Sequence, residues 1–393
     1  MTKTKLFSII VTIILILIPM TALSAESALS SFAGADLTLI PVKDNVPELK
    51  LNGVFAAQYN MNNNFLFRGN FGIRTDDIIT NGFFQDTPSY FTINELSVSF
   101  KLPTTTITQR IGIFMGKYES LGSDEFLQKY FSTFNYASSI FEKRLAVYSE
   151  GLVTYSGIGL SYSMKFQSPN ALGFYFYYDK KYDYNFLNFD LRYASAYDTV
   201  LFDVGVGAAL PLETTDSNDS EVFLLIRRCD LHAGFSLLLG NNPVTNLFIQ
   251  AGLQRLQIKP MPDTKTVSLK DLFLFVEPRF TGNYIRCNVS FFCIPETQVD
   301  ELPYIPQPIG CDIHLASPEF ILINRQSSVG LHAAVACGLT DQYKIRDLDI
   351  QVTPYLDCNV LGGTFNLMFM FHPMSYSDIG KFFNFSLSYK AVL

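Results

Sequence analysis

The chain has no tryptophan, and charged residues make up only 17% of it, against roughly 25% in ordinary soluble chains. Beyond the first residues it has no apolar run long enough to cross a bilayer as a helix. It has no Cys-x-x-Cys pair among its six cysteines, only four histidines, and no basic cluster larger than a pair. These absences exclude a zinc ribbon or a dithiol redox site, a nucleic-acid surface and a helical membrane protein. Gly-x-Ser-x-Gly and Walker motifs are missing too, which removes the usual hydrolase and nucleotide-binding signatures. No cofactor is expected, and the chain does not read as an enzyme.

What is present is apolar character spread by alternation. Hydrophobic residues are 48% of the chain, with 36 Phe and 21 Tyr. The exception is the start. Lys3 and Lys5 precede an apolar run from Leu6 to Ile18, Pro19 breaks it, and Ala22–Ala25 supplies small residues for cleavage. This is the pattern of a secretory leader over 1–24, leaving a single domain over 25–393. Net charge is −7, and loss of Lys3 and Lys5 would make it more negative. An exported chain without spanning helices can cross a membrane only as strands that close into a barrel, because an open sheet edge leaves backbone groups unpaired in lipid.

The residues support that reading. Phe383, Phe385, Leu387, Tyr389, Ala391 and Leu393 alternate with Asn384, Ser386, Ser388, Lys390 and Val392, so one face of this stretch is apolar and the other mostly small and polar. Leu96, Val98, Phe100 and Leu102 alternate with Glu95, Ser97, Ser99 and Lys101 in the same way. Similar segments recur from Ala35–Val42 onward, including Glu221–Leu239, Thr245–Ile258 and Ile309–Ile323. Their connections alternate between short turns, such as Asn60–Asn64 and Leu361–Gly363, and long polar loops, such as Asp76–Ser89 and Pro295–Pro308. An all-β, transmembrane, antiparallel up-and-down barrel of about 18 strands, or about 16 as the nearest competing count, fits this pattern. Counting Ala35–Val42 places both ends of the sheet on the short-turn side.

The chain resembles bacterial outer-membrane β-barrels, and spirochaete ones in particular, in its Asn-, Ile- and Phe-rich, tryptophan-free strands. The closing strand is similar to the assembly signal of such barrels at Gly380, Phe383, Phe385, Leu387 and Tyr389, and departs from it in ending on Leu393. The resemblance implies the outer membrane as location, with its lipid and the barrel assembly machinery as partners. It also leaves room for a homo-oligomer.

Five cysteines (Cys287, Cys293, Cys311, Cys337 and Cys358) fall on apolar faces and read as small lipid-facing hydrophobes; Cys229, beside Arg227 and Arg228, is ambiguous. His232, His314 and His332 fall on the polar faces of separate strands, where metal ligation would require them to converge. Candidate pore-lining charges are Arg68, Arg74, Glu95, Lys101 and Arg110 from three consecutive strands. Asp190, Arg192 and Asp203 come from elsewhere, with Asp349 and Asp357. Opposed basic and acidic walls would set a transverse field across a pore; the same residues would serve equally as ion pairs that stiffen the wall.

The long segment over 119–150 is too apolar for an idle loop. Ser123 can cap a short helix with Phe126/Leu127, Tyr130/Phe131 and Phe134 on one face. That face either folds onto the inner wall as a constriction, carrying Phe126, Lys129, Tyr130, Lys143 and Arg144, or forms an external lobe. The chain as a whole predicts a porin-like channel for small hydrophilic solutes. The competing expectations are a plugged barrel acting as an adhesin or scaffold, and a soluble exported β protein. Acids in the long loops, among them Glu213, Asp216 and Glu296, predict weak cation preference.

Overall fold

The computed structural model describes residues 28–42, 47–61, 64–79, 89–103, 106–118, 155–181, 184–215, 221–226, 228–240, 244–258, 266–268, 271–299, 302–339 and 345–392. Within the long segment it describes 127, 131, 133, 138–141 and 145. The leader expected at 1–24 lies outside these residues.

The wall begins with β1 (Ala28–Ile40), β2 (Glu48–Met61), β3 (Phe65–Thr75), β4 (Ser89–Leu102) and β5 (Thr108–Tyr118). After the long segment come β6 (Tyr155–Lys165), β7 (Asn170–Lys181), β8 (Tyr184–Tyr197), β9 (Val200–Thr215) and β10 (Glu221–Leu225). The chain continues through β11 (Cys229–Leu239), β12 (Thr245–Ile258), β13 (Leu272–Thr281), β14 (Arg286–Cys293) and β15 (Ile309–Ala316). It closes with β16 (Phe320–Leu322), β17 (Arg325–Leu339), β18 (Ile345–Val360), β19 (Gly363–Phe371) and β20 (Phe383–Val392). Two short helices, α1 (Glu296–Val299) and α2 (Ile379–Phe382), sit in the connections.

All twenty strands belong to one sheet. β10 pairs with β9 and β16 with β17 as small hairpin arms, so eighteen strands make the wall. Each pairs antiparallel with its neighbours, and β1 closes the ring on β20, with Phe32 opposite Val392 and Leu39 opposite Phe385. Closure leaves the wall without an edge.

The barrel is the reverse of a soluble one. Outward-facing Phe55, Ile73, Ile113, Ile158, Phe174 and Val206 are exposed, while inward-facing Asp36, Arg68, Glu95, Gln250, Glu277 and Thr353 are buried. Only a lipid exterior makes this arrangement favourable, because the apolar faces avoid water and every wall strand keeps its backbone bonds within the ring. The alternation requires correction at one point. Asn70 pairs with Glu95 and Phe71 with Ile93, so Asn94 is an extra residue in β4. This bulge sends Asn94 Nδ2 onto Asn70 Oδ1 (3.3 Å) and turns Glu95 to the inner face. It presses against Gly116 of β5, at φ +86°, where a Cβ would lie 2.3 Å from the Asn94 carbonyl oxygen. Only glycine fits there.

Most expected strands are present; β1 begins at Ala28 rather than Ala35, and two are interrupted. Glu221–Leu239 is divided, β10 ending at Leu225 and β11 beginning at Cys229. Ile309–Ile323 is interrupted at Ser317–Glu319, where Pro318 cannot donate to the ladder, giving β15 and β16. The rims are unequal. On one, the connections are short, as at 166–169, 198–199, 282–285 and 361–362. On the other run the long segment, 259–271, 294–308 and 372–382, with 182–183 and 340–344 as short exceptions. Because the wall strands are even in number, β1 begins and β20 ends on the short-turn rim.

Candidate pore lining

Strand parity places all eight candidate wall charges on the inner face, but they do not form two opposed bare walls. Arg192 of β8 binds Asp203 of β9 through two contacts (Nε–Oδ1 2.7 Å, Nη2–Oδ2 2.5 Å), a bidentate fork with strong geometry. Asp190 lies 2.5 Å from His232 Nε2; Gly207 leaves the room between them, since a Cβ there would sit 2.3 Å from both groups. Glu95 accepts from Ser97 Oγ (2.6 Å), and Arg68 Nε donates to Gln58 Oε1 (2.9 Å). Asp349 meets His372 Nδ1 (2.8 Å), and Asp357 accepts from Asn366 (2.7 Å). Of the two roles left open for these groups, pairing describes Arg192, Asp203 and Asp190. The basic side is different. Lys101 and Arg110 are direct cross-strand partners near the short-turn rim, with Lys165 one row away. Arg74 stands exposed toward the other rim.

The five residues named for a constriction (Phe126, Lys129, Tyr130, Lys143 and Arg144) lie outside the described residues. Their described neighbours lie against the inner wall. Leu127 and Phe131, one turn apart, both have helical backbone. Leu127, Ile140 and Phe141 are buried in one apolar cluster with the inward residues Phe114, Tyr155, Tyr175, Phe248 and Phe275. The Phe141 ring packs on Phe275 at 4.8 Å, Ser138 Oγ donates to Glu277 Oε2 (2.6 Å), and Ser139 Oγ meets His314 Nδ1 at 3.1 Å. Phe131 lies 5.4 Å from Lys165 Nζ, and Leu145 lies over Gly34, where a Cβ would meet it at 2.9 Å. The partners belong to β1, to β6 and to the nearby strands β13 and β15, three separate sectors of the wall. The segment therefore crosses the lumen. Glu277 is four residues from Thr281, the short-turn end of β13, so the crossing is deep.

Beneath Ser138 and Ser139 is a polar network whose members fall on five separate stretches of sequence. Glu277 also accepts from Ser290 Oγ and from Arg279 Nε (2.6 Å). Asp312 Oδ2 meets His332 Nδ1 (2.8 Å), and Tyr355 Oη lies 2.8 Å from His314 Nε2. The separate-strand argument against convergence of His314 and His332 does not hold: β15 and β17 set them side by side. No group of three metal-ligating side chains occurs among the described residues. A second inward stretch follows α1. The Tyr304 ring stacks on His332 at 3.9 Å, and Gln351 Nε2 donates to the Pro303 carbonyl (2.7 Å). Alternation alone could have placed Glu277, Ser290 and Asp312 on the polar face; it could not show that they meet.

No protein-family model and no curated protein sequence matches the chain. Among solved structures it is similar to a triple mutant of the Rhodopseudomonas blastica porin (10% identity, TM-score 0.44, covering 93% of this chain and 100% of that one). It is also similar to OmpT, an outer-membrane protein of Vibrio cholerae folded in vitro (7% identity, TM-score 0.42, 94% and 99% covered).

Proposed function

We propose that the protein is an outer-membrane channel for passive diffusion of small hydrophilic solutes, narrowed by the segment that crosses its lumen. The carrying observation is the polar and charged inner face of a closed eighteen-strand wall. Eighteen strands about 4.8 Å apart, tilted by about 40°, enclose a backbone cylinder about 35 Å across, wide enough for water once side chains are subtracted. The long segment supplies the narrowing, and the cations Lys101 and Lys165 on its short-turn side would act on whatever ions pass. On this reading the leader is cleaved, the barrel assembly machinery inserts the chain, and a homo-oligomer is allowed. The chain is a conduit, not an enzyme. Ser139 and His314 are within hydrogen-bond reach, but the far nitrogen of His314 meets Tyr355, so no acid orients the imidazole as a nucleophile's base requires.

A second reading has its own support. The apolar cluster inside the lumen and the near-complete burial of Glu277, Ser290, Asp312 and Thr353 suit a plugged barrel serving as a surface scaffold or adhesin. Reconstitution in planar bilayers and liposome swelling separate the two. Discrete conductance steps and swelling in small sugars are expected of the channel; a folded, silent barrel supports the plug.

A further inference from the structure

Three consecutive turns on the short-turn rim carry apolar side chains at their tips. They are the turn from β13 to β14, the β16–β17 hairpin and the turn from β18 to β19. Tyr284, Ile321, Ile323 and Leu361 are 89%, 79%, 88% and 83% exposed. Two of these turns are built at a cost. Leu322 pairs with Arg325 and Val360 with Gly363, so Ile323–Asn324 and Leu361–Gly362 are two-residue hairpin loops. All four of those residues have φ between 48° and 78°. Such turns favour Asn or Gly at the first position, and a β-branched residue in the left-handed region is an outlier. Ile323 is therefore poorly matched to its backbone and to water alike.

The opposite arc of the same rim is ordinary. Gln167 and Ser168 form the tip between β6 and β7, and Asp198 and Thr199 the tip between β8 and β9, all polar and exposed. On the apolar arc outward Phe280, Ile285 and Val329 are all exposed, and exposed Arg325 closes the hairpin, whose arms also expose Glu319 and Gln326. An apolar tip with an arginine beside it matches the boundary between acyl chains and headgroups, where the apolar part is buried and the guanidinium meets phosphate.

We propose that this arc, carried by Tyr284, Ile321, Ile323 and Leu361, is seated in the headgroup–acyl boundary of the leaflet on the short-turn side, while the opposite arc stands in water. The barrel would then sit obliquely, anchored at one side of its rim. The inference needs the lipid-facing exterior and is independent of conduction.

The absence of tryptophan makes the test direct, since an introduced Trp is the sole reporter. Ile323→Trp, Tyr284→Trp and Ser168→Trp are refolded into vesicles of phosphatidylcholine and phosphatidylglycerol. Some vesicles carry lipid brominated near the head of the acyl chain, and others are loaded with iodide on the short-turn side. The two arc reporters should be strongly quenched by bromine and spared by iodide, and Ser168→Trp the reverse. Iodide quenching of Ile323→Trp without bromine quenching overturns the proposal. So does shielding from both, which would mean that a protein covers the arc. Should Ile323→Trp not fold, Ile321→Trp on the same hairpin reads the same depth.

Discussion

His314 and His332 stack face to face, their ring centroids 4.1 Å apart and their planes 2° from parallel. They are direct partners in the ladder between β15 and β17, yet each is tied differently. His332 is held by the buried Asp312, and His314 joins Ser139 of the lumenal segment to Tyr355 of β18. The pair is a hinge point between the rigid wall and the chain that crosses it.

That difference sets an order of effects. His332→Ala strands Asp312 in the wall and should destabilise the barrel by about 3 kcal/mol, as expected when one partner of a buried pair is removed. His314→Ala loses two hydrogen bonds of ordinary worth, about 1–2 kcal/mol together. Urea unfolding of vesicle-inserted protein measures both, and His314→Ala as the more damaging change would contradict the assigned roles.

The closing strand tests which face meets lipid. Leu387 points outward, and an arginine there should cost about 2–4 kcal/mol at mid-depth. Ser386 would be the natural inward control, but it is fully buried and donates to Asp36 Oδ1 at 2.6 Å. The inner face at that point is packed, not open to water as a polar lumen would suggest. Asn384, inward and half-buried, is the better control. Leu387→Arg should assemble poorly and Asn384→Arg normally, read by heat-modifiable gel mobility. Equal assembly would reverse the faces.

All six cysteines are free, and β11 resolves the ambiguous one: Cys229 lies opposite outward Ile258. Cys293 and Cys337 flank Ile309 on successive strands without adjoining each other. Mass spectrometry of unreduced protein should find no bridge, and a water-soluble maleimide should label all six only after unfolding. A stoichiometric disulfide between any two would place that pair off the lipid face.

How much of this the sequence carried depends on whether the information was local. Thr245–Ile258 could be bounded to the residue because turn residues flank it. The break between β10 and β11 was legible only as an ambiguity, since Arg227 and Arg228 could either interrupt a strand or sit on its polar face. Inward and outward faces were legible because the strand period is two. Register was not, because a single sequence does not say which residue lies opposite which. That is why His314 and His332 read as separate, and why Arg192 and Asp203 could be named without being joined. The lumenal segment divides in the same way. Its apolar face was visible in Leu127 and Phe131; the surface it would bury against, Phe275 and Glu277, lay far along the chain.

The deletion of that segment is the decisive experiment. Its described residues hold the wall through Ser138 on Glu277, Ser139 on His314 and Phe141 on Phe275. Burying Ile140 and Phe141 contributes about 1.5–3 kcal/mol for each side chain. The wall does not need these contacts to close, because each strand of the ring is paired on both sides without them. Replacing 121–145 with a short Gly/Ser linker should therefore leave a folded barrel of lower stability. It removes the only described chain that spans from β6 to β13 and β1, so single-channel conductance should rise several-fold. Ser138→Ala with Phe141→Ala should give a smaller rise with noisier current, as the segment detaches while remaining in the lumen. If the deletion barrel folds and conducts no more than the intact protein, the narrowing lies elsewhere, and the stretch at 302–305 is the next element to remove.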